Sequence, residues 1–365
     1  MDFSFSEEQE MLRDGVGKFL EKSYDFDARQ KVVRGETPWS VEAWQQFAEF
    51  GLLALPIAEE QGGLGGSISD CVAVAELLGK HLCVEPYVAS IILGGAGLAG
   101  GENAAASAWL ERVISGEATA TFAYEEGAGT ASPALIQTSA TRTGDDATLT
   151  GEKRLVIGGA EAGVLIVAAR MADTGTLGLL LVEAEAEGLE ARQYTTVDGR
   201  SAANITFDAA PASILVEDAS DTLTEIINRA IIVQSAEAVG AMGALLAITG
   251  EYAGTRKQFG VPIGTFQAVA HRLADMKIAY SKARATLIYT TALAESGAAT
   301  QRDIAILKGQ IGKLGRAIGE AAIQTHGGVG MTDELNVSHY HKRMLALDAQ
   351  FGAHDYHLRM LGVPG

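Results

Sequence analysis

The chain has 365 residues, of which 46 are Asp or Glu and 28 are Lys or Arg, so its formal net charge is −18. This acidic balance leaves no broad basic surface and argues against binding to nucleic acid or to an anionic membrane. Hydrophobic residues make up 47% and charged residues 20% of the chain, which excludes long disordered segments. At about 100–200 residues per domain, the length predicts two or three domains.

The features that report on the cellular compartment favour the cytoplasm. The two cysteines, Cys71 and Cys83, lie in an apolar stretch with helical spacing, which indicates buried, reduced thiols. The residues after Met1 have neither the basic start nor the apolar core of a signal peptide. Apolar runs such as residues 91–101 are too short and too rich in glycine to span a bilayer. We therefore expect a cytoplasmic protein without a membrane partner.

The first third of the chain has a helical pattern. Ser6 and the acidic residues after it are typical of a helix N-cap, and apolar residues then recur at helical spacing up to Leu20. The same spacing predicts further helices over residues 41–50, 70–80 and 104–115. We predict that residues 1–117 form an N-terminal helical domain.

Near residue 118 the pattern changes to short apolar runs separated by turn signals such as Gly144-Asp145-Asp146. Strands are predicted over residues 134–142, 147–157, 164–169, 177–182, 202–207 and 214–216. Short strands at regular intervals are typical of a small antiparallel barrel or sandwich. Residues 118–217 are therefore predicted to form a middle antiparallel β-barrel domain.

Helical spacing returns after the predicted strands and continues to the end of the chain. Four long amphipathic segments are predicted, over residues 223–252, 266–296, 303–325 and 338–361. Because short loops join them, residues 218–365 are predicted to form a C-terminal four-helix bundle. The expected fold class is α+β, with a β domain between two helical domains.

Several motifs along the chain are distinctive. They are Glu59-Glu-Gln-Gly-Gly-Leu-Gly-Gly, Glu125-Glu-Gly-Ala-Gly-Thr, Arg256-Lys-Gln-Phe-Gly with the later Phe266-Gln267, and Gln324-Thr-His-Gly-Gly. Together, and in this order, they resemble the signatures of the acyl-CoA dehydrogenase family. The segment from His341 to His357 adds a likeness to the small subunits of heteromeric members such as pimeloyl-CoA dehydrogenase.

The resemblance implies a flavoprotein that removes two hydrogens from the α and β carbons of an acyl-CoA substrate. A carboxylate takes the α-proton, FAD takes the β-hydride, and an electron-transferring flavoprotein is the expected electron acceptor. In this family each FAD lies at a subunit boundary. One subunit holds the flavin ring and the substrate, and its neighbour reaches the pyrophosphate and the adenosine.

The residues that the resemblance implies for the nucleotide end of FAD are present. Arg256 matches the pyrophosphate-binding Arg, whose guanidinium fork suits two phosphates. Phe259 matches the aromatic beside it, and Gln267 matches a Gln at the adenosine end. The loop whose backbone approaches the phosphates is matched by Gln324, Gly327 and Gly328.

The residues that the resemblance implies for the ring end differ from the family pattern. Tyr124 replaces a Thr that hydrogen-bonds the flavin, and Ile157 replaces a Thr or Ser and cannot hydrogen-bond it. Ala353 and Asp355 replace residues that bond the ring or the ribose, and Asp355 adds a negative charge.

The catalytic carboxylate has no counterpart at its usual positions. Phe351 stands where most members carry the base, and Ala230 stands where other members carry it. A phenyl ring and a methyl group cannot abstract a proton. No catalytic residue is therefore expected at either position.

Two other carboxylates are the remaining candidates for a base. Glu237 follows Ala230 by two helical turns on the same predicted face, about 10 Å further along the helix. Asp348 lies three residues before Phe351. The alternative for Glu237 is a buried, hydrogen-bonded residue, and the alternative for Asp348 is an ion pair with Lys342 or Arg343.

Five histidines lie in the last forty or so residues, namely His326, His339, His341, His354 and His357. No two of them form a compact His/Cys motif, so a role in interface or surface polarity is favoured and no metal is expected.

Three functional hypotheses follow. In the first, the chain is a small subunit without its own base that completes the FAD site of a larger acyl-CoA dehydrogenase subunit in a heterotetramer. In the second, it is a self-sufficient, self-associating acyl-CoA dehydrogenase with its base relocated to Glu237. In the third, it is an assembly protein that keeps the fold without the redox chemistry. The first accounts for the presence of one half of the FAD site and the loss of the other.

Overall fold

The computed structural model describes residues 6–127, 132–144 and 146–362. These residues form two compact units, each assembled from separate segments of the chain. The unit that we call the bundle unit draws on Met1–Gln30, Ile68–Cys83 and Ile231–Gly365. The barrel unit draws on Lys31–Ser67 and Val84–Ala230. The domain limits expected from the sequence, near residues 117 and 217, stay a prediction.

The described helices and strands fall in blocks: helices first, then the strands of the barrel, then helices again with one short hairpin among them. The helices are α1 (Glu7–Ser23), α2 (Phe26–Val33), α3 (Val41–Glu49), α4 (Ile68–Lys80), α5 (Ala96–Ala99), α6 (Ala104–Ile114), α7 (Ser220–Thr255), α8 (Gln267–Glu295), α9 (Gln301–His326), α10 (Asn336–Ala349) and α11 (His354–Met360). The strands are β1 (Ala120–Ala123), β2 (Ser139–Thr143), β3 (Asp146–Ile157), β4 (Val164–Met171), β5 (Leu177–Glu183), β6 (Leu189–Thr195), β7 (Ser201–Val216), β8 (Lys257–Gln258) and β9 (Val261–Pro262).

Two helices of the bundle unit begin with the same capping arrangement. The Ser6 hydroxyl accepts the backbone N–H of Gln9, whose side chain in turn accepts the N–H of Ser6. Thr300 and Asp303 repeat this arrangement at the start of α9. Each pair satisfies two N–H groups that have no partner within the helix. The N-cap predicted at Ser6 is confirmed.

Helices α4 and α7 of the bundle unit cross at two glycines. A Cβ on Gly79 would lie 1.9 Å from the carbonyl oxygen of Glu237, and a Cβ on Gly240 would lie 1.9 Å from that of Glu76. Only glycine allows this approach of the two backbones. The crossing therefore fixes the position of Glu237 relative to α4.

The fourth predicted segment of the bundle is two helices. The single helix expected over residues 338–361 is wrong at Gln350–Ala353, where the chain turns between α10 and α11. Phe351 has φ +57° and Gly352 has φ +85°. Two successive left-handed residues end an α-helix, and nothing in the periodicity of the apolar residues signals them.

The barrel predicted for the middle of the chain is confirmed among the described residues. Strands β2, β3, β7, β5 and β4 pair in that order and β4 pairs again with β2, so the ring closes. Strand β1 joins β4, and β6 joins β7. The core of the barrel is mostly aliphatic, with Leu149, Val167 and Ile205 among its members and Phe207 as its aromatic residue.

The barrel differs in detail from the sequence prediction. The pairings β1–β4 and β2–β4 are parallel rather than antiparallel, which the long connections before β4 permit. The two runs predicted over residues 202–207 and 214–216 form one continuous strand, β7. Strands β1 and β6 are absent from the prediction. The seven residues of β6 are mostly exposed and lack apolar alternation.

Helix α7 is long and apolar enough to span a membrane by length and composition, unlike the shorter apolar runs noted in the sequence. However, 67% of its most apolar 18-residue window is buried inside the protein. Burial of this kind is typical of a core helix.

Candidate functional site

A short hairpin after α7 carries two of the predicted nucleotide-end residues. Strands β8 and β9 pair, and the N–H of Ile263 donates to the carbonyl of Arg256 at 2.8 Å. Phe259 and Gly260 form the turn, with φ of +52° and +83°. A two-residue turn with both φ values positive is the I′ type that suits a hairpin. The hairpin holds Phe259 at its tip, where the side chain is 94% exposed.

The end of α9 carries the other predicted nucleotide-end residues. Gln324 lies on its last turn and is exposed. Gly327 has φ 69° and ψ −148°, close to a region of backbone conformation that only glycine populates readily. A Cβ added to Gly327 or Gly328 would meet no other atom within 4 Å. The backbone of this turn therefore faces open space.

The two groups lie at the same end of the bundle unit. The ring of Tyr252, one turn before Arg256, stacks on the ring of His326 with centroids 4.3 Å apart and planes at 23°. The end of α7 therefore lies beside the end of α9. The aromatic ring of Phe259 also contacts that of Phe266, next to Gln267, at 6.2 Å. The structure thus brings the predicted nucleotide-end residues to one face of the bundle.

This face fits the nucleotide end of FAD. Arg256 is exposed, and its side chain has no hydrogen bond or ion pair within the part of the chain that the structure describes. Exposed guanidinium groups and open glycine backbones are the donors that phosphates require. Arg256 and the backbone of the Gly327–Gly328 turn can therefore bind an anion, and no anionic side chain of the described residues pairs with Arg256.

The ring-end residues of the barrel unit do not offer matching donors. The hydroxyl of Tyr124 is buried and donates to the carboxylate of Glu125 at 3.3 Å. Ile157 contributes only its backbone carbonyl, which accepts the Thr121 hydroxyl at 2.7 Å. The end of the predicted glycine loop, residues 128–130, lies outside the described residues. The described residues here therefore do not fit the hydrogen-bonding edge of a flavin ring.

An ion pair that sequence reasoning missed anchors this loop. The fully buried amine of Lys153 donates to Glu126 at 2.6 Å and to the carbonyl of Tyr124 at 3.2 Å. Glu126 also accepts the N–H groups of Gln137 and Thr138 at 2.5 and 2.9 Å. Its signal in the sequence was the Glu in place of the family's Pro.

Burial and charge act against each other in this pair. Burial lowers the pKa of Lys153 to about 8, although the Glu126 carboxylate acts to raise it. Burial acts to raise the pKa of Glu126, but the charge and hydrogen bonds of Lys153 outweigh burial and lower it. Glu125, Glu126 and Glu152 all line a cavity of about 450 Å³ beside the loop. An acidic lining of this kind disfavours an anionic cofactor.

The two usual positions of the base carry no acid, as the sequence requires. Phe351 is buried, and its carbonyl oxygen lies 2.9 Å from Nε2 of His357. Ala230 is fully buried on α7.

Both remaining carboxylate candidates are engaged. The two oxygens of Glu237 accept Nε and Nη2 of Arg343, each at 2.8 Å, and both side chains are buried. This agrees with the alternative of a buried, hydrogen-bonded Glu237. Because a buried guanidinium holds both oxygens, Glu237 would have to give up part of this pairing to act as a base toward a substrate.

Asp348 pairs with a residue that the sequence did not suggest. Its carboxylate accepts the backbone N–H of His354 at 2.9 Å and lies 2.6 Å from Nδ1 of the same residue. The predicted ion pair with Lys342 or Arg343 is wrong: Lys342 pairs with Asp333 at 2.7 Å. Residues five and six apart lie on different helix faces, whereas the turn after α10 returns His354 to Asp348.

The C-terminal histidines make separate contacts. His326 stacks on Tyr252, His339 lies beside Arg29, and His354 pairs with Asp348. Across the described residues, no group of three or more His, Cys, Asp or Glu side chains could hold a metal ion.

Comparisons with known proteins cover nearly the whole chain. Sequence models of the acyl-CoA dehydrogenase N-terminal, middle and C-terminal domains match residues 6–117, 120–210 and 221–363. The probable acyl-CoA dehydrogenase YngJ of Bacillus subtilis is 28% identical over 353 residues, with 92% of each chain covered.

Solved structures give the same result. The ChsE4–ChsE5 complex from Mycobacterium tuberculosis matches with a TM-score of 0.90 at 26% identity, covering 99% of this chain and 98% of the other. A single-residue variant of the Tcur3481–Tcur3483 steroid ACAD matches with a TM-score of 0.90 at 28% identity, covering 98% and 97%. The chain belongs to the acyl-CoA dehydrogenase family, whose cofactor is FAD, and has its fold of N-terminal helices, a middle β domain and a C-terminal helical domain.

Proposed function

We propose that this chain is the small subunit of a heteromeric, FAD-dependent acyl-CoA dehydrogenase. It lends its nucleotide-end residues to an FAD whose ring, substrate and base belong to a larger partner chain. One observation carries the proposal: Arg256 is exposed and free of partners in the described chain, whereas both oxygens of Glu237 are held by Arg343.

The chain's own residues have binding roles in this proposal. Arg256 pairs with the pyrophosphate, Gln267 lies toward the adenosine, and the backbone of Gly327 and Gly328 approaches the phosphates. When bound, FAD supplies the hydride acceptor for α,β-dehydrogenation of the acyl-CoA. By family membership, the electrons pass to an electron-transferring flavoprotein.

Exposed apolar side chains around the nucleotide end support a neighbouring subunit there. Phe259 is 94% exposed and Met331 is 66% exposed. Val261, Phe266 and Val329 add smaller exposed apolar areas. A cluster of apolar side chains exposed beside a ligand site is typical of a surface that another subunit covers. Two similar structures are also named as pairs of chains, ChsE4–ChsE5 and Tcur3481–Tcur3483.

The test compares the purified chain with the chain co-produced with a candidate larger acyl-CoA dehydrogenase, beginning with any encoded by a neighbouring gene. The FAD-to-polypeptide ratio and the anaerobic bleaching of flavin colour by acyl-CoA are measured for both. We expect little FAD and no bleaching from the chain alone, and about half an FAD per polypeptide in an active two-plus-two complex. One FAD per chain with turnover by the chain alone would overturn the proposal.

A further inference from the structure

The contact between Tyr252 and His326 links two parts of the nucleotide end. We call the hairpin that begins at Arg256 the guanidinium arm, and the turn at Gly327 and Gly328 the glycine arm. Their rings lie 4.3 Å apart at 23°, close to parallel. The Tyr252 hydroxyl also lies 3.5 Å from the carbonyl oxygen of His326, at the limit of a hydrogen bond. The same two residues therefore meet both through their rings and through a polar contact.

The imidazole of His326 is held in one orientation. It is 6% exposed, and its Nδ1 lies 2.9 Å from the carbonyl oxygen of Ala322. A nitrogen at this distance from a carbonyl acts as a donor, so Nδ1 carries the proton. A flip of the ring would break this hydrogen bond, and a rotation out of its plane would also break the stacking on Tyr252.

Each member of the pair is tied directly to one arm. The N–H of Arg256 donates to the carbonyl of Tyr252 at 2.8 Å, at the point where the chain leaves α7 for the hairpin. Gly327 follows His326 in the chain and begins the open glycine turn. The stack is thus a short physical link between the guanidinium arm and the glycine arm.

We propose that the Tyr252–His326 stack is the positioning device that sets the spacing between Arg256 and the Gly327–Gly328 turn for the diphosphate of the cofactor. The inference rests on the proposed function. A diphosphate bridged by a side chain and a backbone turn is bound well only if the two arms keep a fixed separation. Arg256 sits at a helix end on a flexible stem, so that separation depends on what joins α7 to α9.

The test uses ADP as the probe, because it carries the diphosphate and adenosine without the flavin ring and requires no partner chain. Calorimetric titration compares the wild-type chain with Tyr252→Leu, Tyr252→Phe and His326→Leu. We expect Tyr252→Leu and His326→Leu each to weaken ADP binding about five- to tenfold, from the loss of one aromatic pair. Tyr252→Phe keeps the ring and should bind within about twofold of wild type.

Two further variants distinguish an effect on the spacing of the two arms from a general loss of stability. The double variant Tyr252→Leu/His326→Leu should bind ADP no more weakly than either single variant, because both remove the same contact. Phe26→Leu removes another aromatic–histidine contact of the bundle unit, with His339 at 5.1 Å, and should lower thermal stability while leaving ADP affinity unchanged. If Tyr252→Leu fails to fold, Tyr252→Met, which keeps most of the volume without a flat ring, takes its place.

The outcomes separate this inference from the function on which it rests. No ADP binding by the folded wild-type chain would overturn the inference, whereas the proposed function falls only if the co-produced complex fails its own test of FAD content and bleaching. ADP binding by the wild type that Tyr252→Leu or Tyr252→Met leaves unchanged would overturn the inference alone. So would an equal loss of ADP affinity in Phe26→Leu.

Discussion

The nucleotide end of the bundle unit and the loop after β1 in the barrel unit hold their charged groups in opposite ways. At the nucleotide end, Arg256 is exposed without a partner in the described chain, beside an open turn at Gly327. In the loop after β1, Glu126 is bound by Lys153 and by two backbone N–H groups. The donors of the nucleotide end are available to a ligand, whereas the charges in the loop after β1 pair with each other.

Under the proposed function, this difference explains why the chain would serve only one half of a shared site. A buried charge that is paired within the protein is not available to a cofactor, and removing its partner destabilises the fold, whereas an exposed charge adds little to stability and stays available. Glu237 belongs with the first kind, although it lies in the bundle unit, because Arg343 occupies both its oxygens.

The largest expected effect comes from breaking the Glu237–Arg343 pair. Glu237→Gln leaves a buried guanidinium without its carboxylate, so the free energy of unfolding should fall by about 3 kcal/mol. The measurement is urea denaturation of the purified chain, with Glu320→Gln as control. Glu320 pairs with Arg316 at the surface, so its loss should cost less than about 1 kcal/mol.

The same substitution tests the self-sufficient enzyme. If Glu237 were the base, Glu237→Gln would abolish turnover by the chain while the protein stayed folded and kept its FAD. We expect instead that the heteromer with folded Glu237→Gln keeps the wild-type kcat.

Removing the free charge should have the opposite signature, a loss of cofactor without a loss of fold. Arg256→Ala should weaken FAD retention by the proposed heteromer by about 2–3 kcal/mol, or about 30- to 150-fold in Kd, and leave thermal unfolding of the isolated, FAD-free chain unchanged. Arg256→Lys keeps the charge but not the two-pronged geometry, so it should recover only part of the loss. FAD release is followed by fluorescence on dilution.

Arg302→Ala is the matched control, because Arg302 is also exposed on the bundle unit but lies at the start of α9, the opposite end from Gly327. An equal loss of FAD in Arg302→Ala would point to a general effect of net charge rather than to a site at Arg256.

The Lys153–Glu126 pair should show a dependence on pH. Glu126→Gln removes the carboxylate that stabilises the charged form of the buried Lys153 amine, which should cost about 1–2 kcal/mol of stability at pH 7. Because the pKa of Lys153 is lowered to about 8 in the folded protein, the wild type loses the ion pair as pH rises past that value. The stability difference between wild type and variant should therefore shrink between pH 7 and pH 9.

The lowered pKa of Lys153 also determines how the stability of the wild type changes with pH. Lys153 has a lower pKa folded than unfolded, so the unfolded chain binds more protons between about pH 8 and pH 10.5, and this group makes stability rise with pH there. Glu152→Gln, which removes only an exposed pair with Arg154, should show no such trend. A pH-independent loss in Glu126→Gln would mean that its hydrogen bonds, not its charge, anchor the loop.

Local features were predictable from the sequence, and long-range pairing was not. The four consecutive residues from Ser6 to Gln9 are enough to predict the N-cap at Ser6, and Gly327 marks a turn whose backbone conformation would strain other residues. The partner of Glu237 lies 106 residues further along the chain, so no local pattern reveals that the carboxylate is engaged. The left-handed Phe351 was equally hidden, since a bulky residue rarely adopts that conformation.

The smallest expected effect tests whether Ile157 alone accounts for the poor fit of the ring end to a flavin. Ile157→Thr restores a hydroxyl where the family commonly has one, at a stability cost of about 1 kcal/mol for the lost apolar contacts of this half-buried residue. We expect the FAD content of the isolated chain to stay low, because the Tyr124 hydroxyl still donates to Glu125 and the acidic lining of the neighbouring cavity is unchanged. Flavin absorbance of the purified variant is the measurement, with Tyr124→Thr/Ile157→Thr as its companion. A rise to one FAD per chain in Ile157→Thr would mean that the ring end lacks only this one hydroxyl, which replaces the ethyl group of Ile157, and the contrast with Arg256 would then no longer hold.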